Sequence, residues 1–224
     1  MKHIAFFLLL ALLCIPVPGL SATSTSGCHC FRNRAYDPAD RYSADDYLLT
    51  TTYNALIAAS FDISKRQIVM KKMKGGINGD DLLIGLYVSA RTSTPLDILL
   101  SIRDNGGSWQ DILQAPNLKG KGTADAVLSR IRSGSKTEEI TRMITDNMLC
   151  SKYNCSRQDL DDLQKDTLSD KETGLVFALK KQTGASLEKL VAMYQQQKMS
   201  WSEIAHHFKL TPAEVGKNIL GESE

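Results

Sequence analysis

Ser108-Trp109-Gln110-Asp111-Ile112 and Ser200-Trp201-Ser202-Glu203-Ile204 are two versions of one motif, and they hold the only two tryptophans of the chain. The likeness extends outward, so that residues 84–131 align with residues 175–219 over two small gaps, one of them a four-residue insertion at 119–122. A segment of this length that occurs twice is typical of a structural unit that was copied and stacked. The sequence therefore predicts a fold built from two related helical modules.

Each motif opens with a helix-start signature, in which Ser or Thr is followed three residues later by Glu, Asp or Gln. The hydroxyl accepts a hydrogen bond from a backbone N–H of the first turn, and the later side chain bonds back. Eight such starts are predicted, at Ser43, Ser64, Thr94, Ser108, Ser135, Ser169, Ser200 and Thr211. Apolar residues follow at helical spacing, and alternating strand patterns are missing. The sequence therefore predicts an all-α protein of about ten short helices.

Composition divides the chain into five predicted segments. They are a signal peptide at 1–22, an irregular cysteine-containing arm at 23–42, an N-terminal helical module at 43–150, a polar connector at 151–169 and a C-terminal helical module at 170–224. A weaker third copy of the repeat is suggested by Ile68-Val69, Gly75-Gly76 and Asp81-Leu82-Leu83, which resemble residues 99–113.

The first residues have the pattern of an export signal. A charged start at residues 1–3 precedes an apolar run at 4–14 and the small-residue site Leu20-Ser21-Ala22. The alternatives are a buried first helix and a lipoprotein anchored at Cys14, although Leu12-Leu13 lacks the small residue expected before a lipidated cysteine. We expect a periplasmic or secreted protein that begins near Thr23 and has no stable membrane anchor after signal removal.

Four cysteines remain after the signal, and an even number in an exported chain favours disulfides. Cys28 and Cys30 are too close to pair easily with each other. Each is therefore expected to bond with one of Cys150 and Cys155, with the connectivity left open. The alternative is a zinc site that adds His29, but the cysteine spacings differ from those of zinc knuckles. No metal and no cofactor is predicted.

One strip of the second copy resembles a DNA-binding corner. Residues 201–215 carry Ile204, Ala205, Leu210 and Val215 at the packing positions of the helix-turn-helix of sigma factors and response regulators. The resemblance implies a compact helical corner. In that family polar and basic residues of the second helix read DNA, whereas this helix has one lysine and one glutamate, and the chain has a net charge of only +2. We therefore expect no nucleic-acid partner.

A longer stretch resembles another group. Residues 174–220, and less closely residues 82–131, are similar to uncharacterised exported bacterial helical-repeat proteins, with a helix, a Thr-Gly-Ala-Ser-Leu cap, a helix and a Trp-x-Glu-Ile-Ala strip. This resemblance implies export and helical repeats, and it brings no known activity.

Candidate chemical groups have simpler structural explanations. His206 and His207 point about 100° apart on a helix, so they cannot both bind one ion easily. The pairs Asp45-Asp46, Asp80-Asp81 and Asp161-Asp162 fall at predicted helix starts, where carboxylates favour the helix dipole. No phosphate loop or nucleophile motif occurs, so no catalytic residue is predicted.

Trp109 and Trp201 are the remaining candidates for an interaction site. Packing against the preceding helix is the favoured role, and twin anchors for a partner are the alternative, since interfaces are enriched in tryptophan. The predicted function is a non-enzymatic exported repeat protein that binds another protein of the bacterial envelope or stabilises an assembly. The alternative is an envelope enzyme or enzyme accessory, for example cell-wall related, with a groove between its modules.

Overall fold

Twelve α helices and no strand make up the part of the chain that the computed structural model describes, residues 31–74, 76–165 and 167–221. The all-α prediction is therefore confirmed, with two helices more than the sequence suggested. In chain order the helices are α1 (Asp45–Phe61), α2 (Lys65–Lys74), α3 (Gly79–Thr92), α4 (Leu96–Asp104), α5 (Trp109–Gln114), α6 (Ala126–Arg132), α7 (Thr137–Tyr153), α8 (Arg157–Lys165), α9 (Asp170–Thr183), α10 (Leu187–Gln195), α11 (Trp201–His207) and α12 (Pro212–Leu220). None of them combines the length and apolar composition that a membrane-spanning helix needs.

The helices form two units of six, α1–α6 and α7–α12, that match in order and length. α1 and α7 have 17 residues each, α3 and α9 have 14, and α4 and α10 have nine. α1 and α7 also both end at a left-handed residue, Asp62 and Asn154. The duplication is thus longer than the aligned segments. α8 lies inside the predicted polar connector, and it is the second helix of its unit, as α2 is of the first.

The long first helix of each unit packs mainly against the other unit. α1 makes its most extensive contacts with α12 and α9 of the second unit, while α7 packs on α3 and α6 of the first. Gly216 of α12 favours the close approach to α1, because a Cβ there would lie 3.3 Å from Thr51 Oγ1, tighter than most such contacts. As a result the two predicted modules share one hydrophobic core.

α1 is the central helix, and its residues 50–58 are all buried. Its polar side chains are mostly paired, as burial of polar groups requires. The Tyr53 hydroxyl lies 2.7 Å from Thr145 Oγ1 on α7, and Asn54 Oδ1 accepts a hydrogen bond from Lys72 Nζ at 2.9 Å. Hydrogen bonds therefore join α1 to α7 of the other unit as well as to α2 of its own.

The predicted helix starts can be compared with the observed caps. Ser64, Ser108, Ser169, Ser200 and Thr211 each accept a first-turn N–H, as predicted. Three predictions are wrong, because the helices after Ser43, Thr94 and Ser135 start one residue later, at caps without a side-chain bond. Ser43 donates its hydroxyl proton to the Asp40 carbonyl instead. Ser186 caps α10 within the Thr-Gly-Ala-Ser-Leu stretch, whereas caps at Asn78 and Asp125 were not predicted.

Candidate functional site

The two tryptophans occupy equivalent places and make equivalent hydrogen bonds. Each is the first residue of the fifth helix of its unit, and each donates its indole N–H to a carboxylate in the first turn of the third helix. Trp109 Nε1 lies 2.7 Å from Asp81 Oδ1, and Trp201 Nε1 lies 3.0 Å from Glu172 Oε1. A carboxylate is favoured at a helix N-terminus, so one group serves both the helix and the indole.

Both indoles are buried, with 6% of Trp109 and 1% of Trp201 exposed. Trp201 stacks on Tyr194 with 4.1 Å between ring centroids. Trp109 lies against α3, where a Cβ on Gly85 would come within 3.3 Å of its ring. This is the burial that a packing role requires, and it leaves neither ring free to anchor a partner in the folded chain.

A third residue completes each group and differs between the units. Arg103 bonds both carboxylate oxygens of Asp81, at 3.0 and 3.3 Å, and also donates to the Gly107 carbonyl at 2.6 Å. The aligned residue in the second unit is Tyr194, whose ring stacks on Trp201 and which lines the same groove as Glu172. An ion pair in one copy is therefore replaced by an aromatic ring in the other.

This exchange accompanies a large difference in the cavity beside each group. In the first unit the cavity is about 240 Å³ and is lined by Gly76, Ile77, Asn78, Asp81, Leu100, Arg103 and Asp104. In the second unit a groove of about 770 Å³ opens at the equivalent place. Its lining residues, which define the groove, are Tyr42, Lys165, Thr167, Leu168, Glu172, Tyr194, Gln195, Gln196, Lys198 and Met199.

The arm before α1 forms one wall of the groove. Ser200 and Ser202 donate their hydroxyl protons to the Arg41 carbonyl, at 2.5 and 3.0 Å. The Arg41 guanidinium donates to Glu203 at 2.9 Å and to the Lys198 carbonyl at 2.6 Å. These bonds hold the neighbouring Tyr42, which is 58% exposed, at the rim of the groove.

The first residue of α1 fixes the start of α11. The Asp45 carboxylate accepts the backbone N–H groups of Trp201, at 3.1 Å, and Ser202, at 2.8 Å. These are donors that a helix start leaves without an intrahelical partner. Asp45 belongs to one of the aspartate pairs noted in the sequence, but nothing in the sequence indicates that α1 supplies this cap to a helix more than 150 positions later.

Hydrogen bonding controls the charge of the carboxylate in the groove. Burial alone raises the pKa of Glu172, but hydrogen bonds from the Ser169 backbone, the Trp201 indole and the Ser169 hydroxyl outweigh it and hold the pKa below its usual value. Glu172 is thus ionised at neutral pH. Lys165 and Lys198 supply positive charge to the same groove, and Lys165 also pairs with Asp162 at 2.7 Å.

The two adjacent histidines lie on the surface at the end of α11. His206 and His207 are exposed in the last turn of α11, and Tyr36 of the arm stacks on His206 with 4.8 Å between centroids. Over residues 31–74, 76–165 and 167–221, no three His, Cys, Asp or Glu side chains come together as a metal site would require.

Two of the four cysteines predicted to form disulfides lie in the described part of the chain. Cys150 and Cys155 lie beside each other with their Sγ atoms 2.7 Å apart and with no disulfide between them. Cys28 and Cys30, the expected partners, lie outside the described residues. The predicted bonds to the arm therefore stay a prediction, and the contact between Cys150 and Cys155 is new.

Comparison of the chain with protein-family models, curated proteins and solved structures gives no match to any of the three. What the chain can bind has to follow from the chemistry of the groove itself.

Proposed function

We propose that this chain is a non-enzymatic helical-repeat protein of the bacterial envelope, periplasmic or secreted, that binds an extended segment of a partner protein in the groove of its second unit. The single observation that carries this proposal is the divergence of the two copies. The same place in the repeat is a cavity of about 240 Å³ bordered by the Arg103–Asp81 pair in the first unit and a groove of about 770 Å³ with an aromatic wall in the second.

The walls of the groove are suited to a polypeptide. Tyr194 is held by its stack on Trp201, and Tyr42 donates its hydroxyl proton to the Lys198 carbonyl at 3.3 Å. Tyrosine offers a large contact area at a low cost in conformational entropy. The side-chain amides of Gln195 and Gln196 can donate to and accept from a peptide backbone. The volume lies within the range of roughly 300–1,000 Å³ that is usual for ligand sites.

Charge indicates which segments are favoured. The lining residues carry two lysines and one glutamate, and the glutamate already accepts bonds from Ser169 and Trp201. The formal charge of the lining is therefore +1, and because Lys165 already pairs with Asp162, Lys198 is the cation proposed to meet a ligand. We propose that the bound segment is acidic, with a carboxylate that meets Lys198. Such a pair mainly increases specificity and association rate.

The alternative function is an envelope enzyme or enzyme accessory, and one observation favours it: Glu172 lines the groove beside Tyr194. A general acid must hold a proton near neutral pH, which requires a raised pKa. The pKa of Glu172 is lowered, and its oxygens accept hydrogen bonds from Ser169 and Trp201. These bonds favour a positioning role, which supports binding over acid catalysis.

Site-specific photo-crosslinking in intact cells tests the proposal. A photoreactive amino acid at position 42 lies at the groove rim, and one at position 98 serves as the control, because Ile98 is similarly exposed (54%) on α4 of the first unit and does not line the groove. We expect a discrete protein adduct from position 42 only. Equal adducts at both positions, or none at position 42, would contradict the proposal.

Two further variants connect the adduct to the groove. Tyr194→Arg introduces the residue that borders the cavity of the first unit, and it can pair with Glu172 as Arg103 pairs with Asp81, so the fold should persist by circular dichroism. Lys198→Glu reverses the proposed contact charge at a backbone position, φ 57°, that already holds an unbranched side chain. We expect both variants to lose most of the adduct, and an undiminished adduct in the folded variants would count against the groove.

A further inference from the structure

The two described cysteines are brought together by the end of α7. Cys150 lies in the last turn of that helix, and Asn154 ends it in the left-handed conformation, with φ 50°. That reversal turns the next residue, Cys155, back toward the helix. The Sγ atoms are 2.7 Å apart, closer than two sulfur atoms that merely pack, and both residues are partly exposed.

We infer that Cys150 and Cys155 form a disulfide with each other, which closes the turn between α7 and α8, and that Cys28 and Cys30 of the arm are not their partners. The two thiols lose two protons and two electrons to a disulfide oxidant of the envelope. One thiolate attacks the oxidant to give a mixed disulfide, and the second thiolate displaces it, so that the oxidant leaves as a dithiol.

Loop length favours local pairing. The Cys150–Cys155 ring spans five residue positions, whereas a bond to Cys28 or Cys30 would close a loop of about 120 residues, and the entropy cost of closing a loop grows with its length. Folding of α7 has already brought the two thiols into contact, so forming the bond needs little further loss of chain entropy.

The contacts of the arm point the same way. Phe31, the residue after Cys30, packs against Tyr47 of α1 with 5.7 Å between ring centroids, and Tyr36 stacks on His206 of α11. Cys155 instead borders a small cavity with Phe177 and Lys180 of α9. The anchored start of the arm and the cysteine pair thus belong to different surroundings.

A structural role fits better than a catalytic one. Burial, together with the hydrogen bond to Cys150, raises the pKa of Cys155 to about 12, whereas cysteines that exchange disulfides as part of a reaction have lowered pKa values.

The turn also contacts two other helices of its unit. Tyr153 stacks on Phe177 of α9 at 6.0 Å, and Lys152 Nζ donates to the Ile219 carbonyl of α12 at 2.7 Å. Closing the ring would stabilise both contacts, whichever partner occupies the groove.

Peptide mapping without reduction tests the pairing directly. Trypsin cuts after Arg142, Lys152 and Arg157, so it separates the two cysteines into peptides 143–152 and 153–157, while Cys28 and Cys30 leave together in a peptide that ends at Arg32. In protein exported with its own signal, or oxidised after purification with glutathione disulfide, we expect the first two peptides as one species that separates on reduction. A link from either peptide to the one ending at Arg32, or free thiols at Cys150 and Cys155, would overturn the inference.

Two double variants make the test independent of the arm. Cys28→Ser with Cys30→Ser should keep the link between peptides 143–152 and 153–157, and its melting temperature should fall by several degrees on reduction, as for the wild type. Cys150→Ser with Cys155→Ser should melt at the same temperature with and without reductant. If the first variant lost the link, or if the second kept the full response to reductant, the local pairing would be wrong.

Discussion

The indole N–H of Trp201 donates a hydrogen bond to Glu172 over 3.0 Å, and Trp109 makes the equivalent bond to Asp81 over 2.7 Å. The paired residues are 29 and 28 positions apart in their units. A buried indole N–H without an acceptor is costly, because it loses its bond to water and gains nothing. Loss of either partner would leave the other buried without its hydrogen bond. This cost is a reason for both units to keep the bond, although the acceptor is an aspartate in one and a glutamate in the other.

Removal of the indole N–H should destabilise both units by similar amounts. Trp201→Phe and Trp109→Phe keep most of the ring but remove the donor, and we expect each to lower the free energy of unfolding by about 1–3 kcal/mol. Trp201→Ala should cost more, roughly 3–5 kcal/mol, because a cavity is added. Urea unfolding followed by circular dichroism measures these differences. Wild-type stability in Trp201→Ala would show that the indole does not support the core.

The acid dependence of Glu172 has a definite sign. Its pKa is held below the ordinary 4.5 in the folded protein, so the ionised form stabilises the fold above that value, and this contribution is lost as the pH falls through the lowered pKa. We therefore expect the stability difference between wild type and Glu172→Gln to shrink as the solution is acidified below pH 4.5. Other carboxylates titrate in the same range, but they cancel in the difference. A difference that stays constant with pH would contradict the predicted ionisation.

Lys72 should give the protein a dependence on alkaline pH. Desolvation, reinforced by the charge of Lys171 and opposed by Asp80, lowers its pKa from 10.5 to about 8. Between these values the unfolded chain binds more protons at this site than the folded one, so stability rises with pH. We expect the wild type to gain stability relative to Lys72→Met over this range. Because Met does not titrate, parallel pH profiles for the two proteins would refute the shift.

The cap that α1 supplies to α11 can be tested with adjacent aspartates. Asp45→Ala leaves the backbone N–H groups of Trp201 and Ser202 without their acceptor, and loss of a helix cap costs roughly 0.5–2 kcal/mol. The matched control is Asp46→Ala, since Asp46 is exposed on the same helix and surface changes usually stay within about 0.5 kcal/mol. Thermal melting compares them. Equal melting temperatures for the two variants would mean that the cap contributes nothing.

Local signals in the sequence were reliable where the structure is local. Ser169, Ser200 and Thr211 cap their helices through bonds that span three residues, so the relevant chemistry is visible in four consecutive letters. The same rule failed at Ser43, because the helix starts one residue later, with Ala44 at the cap position. Asp125 was missed as a cap because the signature required Ser or Thr followed three residues later by Glu, Asp or Gln, and here an aspartate is followed at that spacing by Leu128.

The candidate site was predicted only in part. The repeat identified Trp109 and Trp201, but neither the groove nor its aromatic wall could be read from the alignment. The exchange of Arg103 for Tyr194 is a single difference among many between the copies. It acquires meaning only when Asp81 and Glu172 are placed beside these residues, and that placement depends on how α3 and α9 pack.

The sequence by itself determined the all-α class, five of the eight predicted helix caps and the repeated motif, because helical periodicity and capping act within a few residues. Only the tertiary structure decided that α1 and α7 pack on the opposite units, that the arm at Arg41 contacts Ser200, and that the cavity is wide in one copy of the site and narrow in the other. Packing of buried surface is not directional, so an apolar stripe specifies that a helix is buried but not which helix covers it.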